Sequence, residues 1–443
     1  MREELLYFDL EIPCESYSSC KVNFSDVVTA TMAKAPVIVA AVEIGTSKVT
    51  VLVGEVTPDS VNVIGRGSAP SAGAVVKGNI HDINKAARAL GQALSQASES
   101  CGNQLLRSKL VTMVISGDSV RCSTGTGSAA LPSGIVTEDK MEEARENAKV
   151  IDLDLNWEIM HSDDIFWKLD GRLVGNPLNQ AGLKLVGALM IVQGNTSRIA
   201  DFSNLMQNSE LANAIPCAVY APLCAKEVVL TPDELDDGAV LIDLGAGCTD
   251  YLVASGGGVL EAGTLQVGFD HVANDLAIGL GLPFAACRKL FENGTLKEAL
   301  ETRPHSLRIE SAMGGEREIP LCHFETIIQA RLEEIFEEVA KIIHVPGGGG
   351  AKGVLTGGGA LYPPALDIFS RVFNIRCRAG SVQATSGNPD SPRYSAVWGA
   401  LKAAADYQRE NQEGLFQSTI EEMNNFWLYL PQWIGKLWKA IKF

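Results

Sequence analysis

Two stretches of the chain carry the same pattern. Residues 42–53 read VEIGTSKVTVLV, and residues 242–253 read IDLGAGCTDYLV. In each, an apolar strand carries a carboxylate near its end, at Glu43 or Asp243. A glycine with small or polar neighbours then forms a turn, and a second apolar strand follows. Each stretch also begins a run of three strands and a helix, so the repeat is one of whole domains. The sequence therefore predicts a duplicated α/β fold.

The hydrophobic pattern places matching elements around both stretches. Strands are expected at about 37–44, 49–56 and 61–68, with a helix over 82–100 that Asp82 caps. The second set is expected at 239–243, 251–254, 258–264, 270–280 and 284–292. Between the two sets, residues 119–193 change character, which indicates an inserted α+β subdomain.

Both turns have the chemistry of a phosphate clamp. Glycine lets backbone N–H groups approach phosphate oxygens closely, and hydroxyl side chains add donors. The candidate phosphate-binding residues are Gly45, Thr46, Ser47 and Lys48 in the first turn and Gly245, Ala246, Gly247, Cys248 and Thr249 in the second. Glu43 and Asp243 are the candidate catalytic residues, because a carboxylate there holds Mg²⁺ through water or orients a water for attack. Two ordinary β-hairpins are the alternative interpretation.

A third glycine-rich element lies about 110 residues after Asp243. Residues 353–360 read GVLTGGGA, a strand followed by glycines and then a helix. Glycines at such a place let the backbone lie flat against a planar base or a ribose. Gly357, Gly358 and Gly359 are therefore candidate adenosine-binding residues, and a simple strand–helix turn is the alternative.

Composition excludes several classes of protein. The chain has 443 residues, is 46% hydrophobic and carries a formal charge of −16, which argues against disorder and against general nucleic-acid binding. Its ten cysteines include no Cys-x-x-Cys pair and its histidines are isolated, so no metal site made of protein ligands alone is expected. No apolar run reaches the length of a membrane span, and the first residues do not resemble a secretory signal. Residues 1–35 are either a loose extension or the product of an upstream start codon chosen in error.

The last 18 residues differ from the rest of the chain. Residues 431–443 read PQWIGKLWKAIKF, with an apolar stripe at helical spacing, flanking lysines and no carboxylate. This pattern is typical of a helix that lies on an anionic membrane surface. The expected membrane-binding residues are Trp433, Ile434, Lys436, Leu437, Trp438, Lys439, Ile441 and Lys442. A terminal helix docked on the body of the protein is the alternative.

These motifs resemble those of the superfamily of actin, heat-shock ATPases and sugar kinases, and within it the FtsA family of bacterial cell-division proteins. Residues 43–48 resemble its first phosphate motif, residues 243–250 its second and residues 356–359 its adenosine motif. Lys289 matches a family lysine near the nucleotide, and a solvated helix lysine is the alternative. Ala246 and Cys248 depart from the family's usual Gly and Thr, which puts phosphate contact at position 248 in doubt because a thiol is a weak donor.

The resemblance implies an actin-like (ribonuclease H-like) fold of two duplicated domains, with the inserted α+β subdomain and a C-terminal amphipathic helix. The expected parts are an N-terminal extension (1–35), domain 1 (36–118, 196–237 and 394–406), the inserted subdomain (119–195), domain 2 (238–393, with 282–345 as its smaller subdomain), a linker (407–426) and a membrane-targeting helix (427–443).

The same resemblance implies a function. The chain would bind ATP and Mg²⁺ with at most slow hydrolysis, and it would associate with itself into filaments. It would sit peripherally on the cytoplasmic face of the inner membrane, bind the tubulin-like protein FtsZ and recruit other divisome membrane proteins. Two alternatives share the clamp. One is a pilus-assembly scaffold like PilM, which lacks such a tail, and the other is a phosphotransferase of the sugar-kinase type, for which Asp243 is the candidate base.

Overall fold

The fold is described by a computed structural model that covers residues 37–57, 60–310, 315–347, 350–382 and 391–414, with side chains of the last helix to residue 407. The strands are β1 (Val37–Ile44), β2 (Lys48–Val56), β3 (Val61–Pro70), β4 (Val75–Val76), β5 (Asn79–Ile80), β6 (Leu110–Ile115), β7 (Val120–Ala130), β8 (Trp157–Leu169), β9 (Arg172–Val174), β10 (Lys184–Asn195), β11 (Ile215–Tyr220), β12 (Ala239–Leu244), β13 (Thr249–Ser255), β14 (Gly258–Leu265), β15 (Ser306–Glu310), β16 (Glu316–Pro320), β17 (Lys352–Thr356) and β18 (Arg376–Ala379). The helices are α1 (Ile83–Ser100), α2 (Glu138–Ala148), α3 (Thr196–Gln207), α4 (Ala221–Val229), α5 (Pro232–Asp237), α6 (Phe269–Leu280), α7 (Phe284–Glu292), α8 (Thr295–Thr302), α9 (Leu321–Ile342), α10 (Pro364–Phe373) and α11 (Ser395–Gly414).

Two five-stranded sheets with the same strand order form the core. The first has the order β11-β6-β1-β2-β3, and the second has the order β18-β17-β12-β13-β14. In each sheet the strand with the carboxylate is central, pairing antiparallel with the next strand and parallel with a later one. The predicted duplication is therefore confirmed and extends to whole sheets. We call each sheet with its covering helices the first lobe and the second lobe.

Helices cover the sheets through apolar stripes. In α1 the buried side chains recur at helical spacing, among them Ala86, Leu90 and Leu94, and Asp82 accepts a hydrogen bond from Lys85 N as the predicted cap. In the second lobe α9 buries a longer stripe that includes Phe324, Leu332 and Phe336. Its acidic residues lie on the other face, as expected for a solvated helix surface.

The last helix, α11, packs very closely against α4 of the first lobe. Helix α11 packs on the face of the first sheet that carries Ala41 and Leu52, and it also packs against α4. A methyl group added at Gly399 would come within 1.8 Å of the carbonyl oxygen of Cys224. Only glycine therefore allows the two helices to approach this closely.

A separate four-stranded sheet is inserted within the first lobe, between β6 and β11 of its sheet. Its order is β7-β10-β8-β9, all antiparallel, and α2 covers one face after a cap at Thr137. All four strands fall within the range expected for the inserted subdomain.

Two differences between the structure and the expected elements bear on the first lobe. Helix α11 continues to Gly414, so the predicted start of a linker at 407 falls inside a helix. The polar composition of this segment suggested a linker, but residues 408–413 read QRENQE, and Gln, Arg and Glu are good helix formers.

No element was predicted for residues 215–237, where the structure has β11, α4 and α5. Prolines mislead there, because Pro216 lies in an edge strand and Pro222 in a first helical turn, where proline is tolerated.

The two ends of the chain and its relation to a membrane concern residues that the structure describes only in part. In the part of the chain that the structure describes, no helix is both long and apolar enough to cross a membrane. The predicted N-terminal extension lies outside the described residues. So does the predicted membrane-targeting helix at 427–443, with all of its expected membrane-binding side chains.

Candidate functional site

A cavity of about 440 Å³ lies between the two lobes at the carboxylate turns. Most predicted site residues line it: Glu43, Gly45, Thr46, Ser47, Lys48, Asp243, Gly245, Ala246, Gly247, Cys248, Gly357, Gly358 and Gly359. The two turns nearly touch, because a methyl group added at Gly247 would come within 2.3 Å of Thr46 Oγ1. The fold therefore brings three distant sequence motifs to one place.

The two turns have the same backbone geometry. Gly45 N donates to Lys48 O and Gly245 N donates to Cys248 O, both at 3.0 Å. The first turn is further held by Ser71, whose hydroxyl donates to Gly45 O at 2.6 Å. Such supporting contacts keep the turn in one shape, which is what a binding loop on a rigid scaffold requires.

Side chains of α7 tie the first turn to the second lobe. Arg288 donates to Thr46 O at 3.4 Å and pairs with Glu292 at 3.0 Å. Glu292 in turn accepts a hydrogen bond from Ser47 Oγ at 3.3 Å. The cavity is thus bordered on this side by polar contacts between the two lobes.

Two carboxylates lie on the floor of the cavity, where burial governs their charge. Burial raises the pKa of Asp243 well above its usual value, and the neighbouring Asp250 and Glu43 add to the effect. Burial also raises the pKa of Glu43, which Lys48 partly offsets. Burial thus disfavours the charged form of both carboxyls, and a cation or a positively charged ligand group in the cavity would favour it.

A third carboxylate, Asp250, was missed by the sequence analysis. It lies directly opposite Asp243 in the β12–β13 register and is 7% exposed. Ser116 of the first lobe donates to it at 2.6 Å, and Thr264 also donates to it. Asp250 therefore links the two lobes beneath the cavity. The register was the available signal, since residues 243 and 250 face each other across any hairpin closed at 245–248.

The pKa of Asp250 gives a testable dependence of stability on pH. Burial raises this pKa from 3.8 to about 6, although the Ser116 and Thr264 hydrogen bonds oppose the rise. Because the folded state holds the proton more tightly, stability from this group is full below pH about 4 and is lost as the pH rises through 6. The loss amounts to about 3 kcal/mol. Urea unfolding of the ligand-free protein from pH 4 to 7.5 measures it.

Asp250→Asn is expected to flatten this dependence, because the amide keeps the hydrogen bonds without titrating. The control is Asp233→Asn, since Asp233 is exposed on α5. An unchanged pH slope in Asp250→Asn would contradict the assignment.

The wall of the cavity beside the glycine loop is aromatic. Phe269, Phe291 and Tyr362 line the cavity, and the ring centroids of the two phenylalanines lie 4.6 Å apart. Gly357 has a φ of +84°, and a methyl group there would lie 2.2 Å from Asp243 Oδ1. By contrast, Gly358 has nothing within 4 Å of the same position, so the loop is open toward the cavity. A flat glycine surface beside aromatic rings suits a planar base.

Two predicted binding residues do not line the cavity. Thr249 is fully buried, and its hydroxyl donates to Val267 O at 2.8 Å. Lys289 is exposed on α7, because the buried Cys287 and Leu290 set which side of that helix faces inward. Its neighbour Arg288 lines the cavity instead. Cys248 does line the cavity, and burial raises the pKa of its thiol.

The residues present fit a hydrated cation and not a fully liganded one. Among the described residues, no group of three or more His, Cys, Asp or Glu side chains is placed to hold a metal ion. Glu43 Oε2 is buried and lacks a hydrogen-bond partner in the described structure. Waters of a hydrated Mg²⁺ would supply the missing donor, since this ion keeps several of its waters when bound.

Comparison with known proteins adds independent findings. A sequence model of the family described as "Cell division protein FtsA" matches residues 240–399. The cell division protein FtsA of Neisseria meningitidis is 28% identical over 378 residues, which cover 83% of this chain and 90% of that protein. The FtsA of Borreliella burgdorferi is 27% identical, covering 90% of this chain and 99% of that protein. The resemblance to the FtsA family is confirmed.

A solved structure supports the same fold. The chain is similar to a structure described as a PilM–PilN type IV pilus biogenesis complex, with a TM-score of 0.56 and 16% identity. The match covers 82% of this chain and 98% of that one. The fold is actin-like, as predicted. At 16% identity this structural likeness concerns the fold alone. The arguments for a function come instead from the resemblance to the FtsA family and from the geometry of the cavity.

Proposed function

We propose that the chain is an ATP-binding, actin-like scaffold of bacterial cell division that tethers FtsZ filaments to the cytoplasmic face of the membrane. The observation that carries this proposal is the pair of facing carboxylate turns around one cavity. The volume of about 440 Å³ lies in the usual range for small-molecule sites. The resemblance to proteins named for cell division gives the cleft its biological setting.

Each part of the cleft has a role in this proposal. The base lies against Gly357, Gly358 and Gly359 and the aromatic wall, and the phosphates lie between the two turns. Glu43 and Asp243 hold Mg²⁺ through its waters, and the bound ion supplies positive charge that offsets the phosphates. Any hydrolysis is slow, because Cys248 places a buried thiol where a hydroxyl would be the stronger donor.

The membrane part of the proposal rests on residues 427–443. Burying each large apolar side chain contributes roughly 2 kcal/mol, and each lysine near an anionic surface adds about 1 kcal/mol. After ordering costs, a single tail binds reversibly, whereas several tails on one filament bind together by avidity. Self-association and recruitment of divisome proteins are assigned to the inserted sheet of β7–β10.

Co-sedimentation with anionic vesicles tests the scaffold. The full chain is expected to sediment with the vesicles and to bring FtsZ filaments with it, whereas a chain lacking 427–443 stays in solution. The matched variant replaces Lys436, Lys439 and Lys442 by Gln, which should weaken binding on the order of 100-fold on anionic vesicles. Binding to neutral vesicles should change little.

Two outcomes would count against the scaffold. If the full chain ignores anionic vesicles while it binds ATP, membrane tethering is wrong. If ATP turnover instead rises on addition of a sugar, the protein is a phosphotransferase, with Asp243 as the candidate base. The PilM alternative predicts no loss of vesicle binding when 427–443 are removed.

A further inference from the structure

The inserted sheet is packed against the second lobe, although it is inserted within the first. Strand β14 forms an edge of the second sheet, and it also contacts β7, β8 and β10 of the inserted sheet. The approach to β8 is close, because a methyl group added at Gly258 would lie 3.3 Å from Asp164 O. Apolar packing continues across this contact, since Val259 and Ala262 of β14 belong to the same buried cluster as Met160 of β8. A movement of β14 therefore acts directly on the inserted sheet.

A chain of hydrogen bonds joins the same strand to the cavity floor and to the first lobe. Thr264 of β14 donates to Asp250, which also accepts a hydrogen bond from Ser116 of the first lobe. The hydroxyl of Tyr220, the last residue of β11, lies 3.2 Å from Thr264 Oγ1. Because Thr264 gives its one hydroxyl proton to Asp250, the Tyr220 hydroxyl donates to Thr264. Tyr220 is 3% exposed and Asp250 is 7% exposed, so these bonds are made in the interior, away from bulk water.

A ligand between the two turns would move β14. The turns nearly touch, since a methyl group added at Gly247 would lie 2.3 Å from Thr46 Oγ1. A phosphate group placed between them therefore shifts one lobe against the other. Asp250 follows the second turn by two residues and pairs with Thr264 across β13 and β14, so the shift reaches β14 directly. Packed cores change between discrete arrangements and do not deform continuously, which passes the shift on to the inserted sheet.

We propose that Thr264 and Tyr220 couple occupancy of the cavity to the position of the inserted sheet. The coupling rests on the proposed function, because the ligand that separates the turns is the nucleotide. The bond between Tyr220 and Thr264 keeps β14 against the first lobe and the inserted sheet while the lobes shift, whereas without this bond β14 can slide. Coupling between two sites is reciprocal, so a partner that holds the inserted sheet changes nucleotide affinity by the same factor. The inserted sheet is thus a place from which a partner regulates the cavity.

Hydrogen exchange of the full-length protein, measured by mass spectrometry with and without ATP and Mg²⁺, tests the coupling. In wild type, ATP is expected to slow amide exchange in peptides that contain the two turns and, about fivefold, in peptides of β8 and β10. Tyr220→Phe removes one hydrogen bond from the chain. It should reduce the effect in β8 and β10 to less than about twofold and leave the protection of the turns in place.

Three further variants separate coupling from loss of structure. Thr264→Val removes the hydroxyl at the centre of the chain and should act like Tyr220→Phe, whereas Thr264→Ser keeps the hydroxyl and should retain the response. Tyr251→Phe is the matched control, since Tyr251 lies on the opposite face of β13 from Asp250. Loss of its hydroxyl should leave both responses unchanged. Melting temperatures near that of wild type show that the variants are folded.

The two regions of the protein distinguish the possible failures. If ATP protects the turns but not β8 and β10 in wild type, the coupling is wrong while nucleotide binding stands. If ATP protects neither region, the proposed function fails, and the coupling that rests on it fails as well. If Tyr220→Phe and Thr264→Val keep the full response of the inserted sheet, or if Tyr251→Phe loses it equally, Thr264 and Tyr220 are not the link and the proposal is overturned.

Discussion

Asp243→Asn is expected to remove the dependence of nucleotide binding on Mg²⁺ and to raise the melting temperature of the ligand-free protein. Both effects have one cause, which is the cost of ionising Asp243 in a buried place beside Asp250 and Glu43. Without ligand this charge is destabilising, since burial raises the pKa of Asp243 well above its usual value. With a hydrated cation present, the same charge is a binding contact. Loss of a group that holds a metal through water lowers affinity about 10- to 100-fold.

The opposite signs of the two effects make the test sharp. Nucleotide affinity is measured with Mg²⁺ and with EDTA, and thermal melting is measured without ligand. Asp233→Asn on the exposed face of α5 serves as the matched control, with no change expected in either readout. A variant that melts earlier and binds weakly would show only misfolding. A variant that keeps its Mg²⁺ dependence would show that Asp243 has no part in holding the ion.

Gly399→Ala is expected to destabilise the protein by about 3 kcal/mol or more, because the added methyl group overlaps the backbone of α4. The new carbon would lie 1.8 Å from Cys224 O and 2.4 Å from Cys224 C, and neither atom moves without shifting the helix. Helix α11 would have to separate from α4 and from the first sheet. Since Arg393, which lines the cavity, lies just before this helix, nucleotide affinity should fall as well.

A second glycine provides the control for this prediction. Gly91 lies on the exposed side of α1 with nothing within 4 Å of an added methyl group. Gly91→Ala should therefore stabilise the protein by about 1 kcal/mol, the usual gain from alanine in a helix. Urea unfolding of the two variants beside wild type gives both values. Equal stability of Gly399→Ala and Gly91→Ala would contradict the close packing of α11 on α4.

The two glycine turns of the site could be predicted because short stretches of sequence determine their structure. The turns at 45–48 and 245–248 are set by a glycine between two apolar strands, and each can be recognised in the sequence. Asp250 was missed because its role depends on register and on Ser116, which comes from another lobe. The counterpart of Asp250 in the first hairpin is Thr50, so comparing the repeats gave no matching carboxylate there.

The positions of Lys289 and Thr249 away from the cavity have a different origin. Lys289 and Arg288 are adjacent cations, and which one faces the cavity depends on how the helix rotates to bury Cys287 and Leu290. That rotation is a property of tertiary packing. Thr249 follows the second turn, but strand alternation points its side chain into the protein, where it donates to Val267 O. Strand β13 begins at Thr249, two residues before the strand expected at 251–254, so Thr249 belongs to the strand and not to the turn.

Two sheets with the same strand order would, on their own, offer an asymmetric ligand two equivalent orientations. The two halves differ in the residues that follow β6 and β17, the parallel neighbours of β1 and β12. After β6 comes Ser116, whose hydroxyl is already used by Asp250 of the other half. After β17 come Gly357 and Gly358, and the second of these is open to the cavity. A base therefore has a place at one half only. Because the two similar halves differ in these residues, a ligand with two unlike ends can bind between them in one orientation.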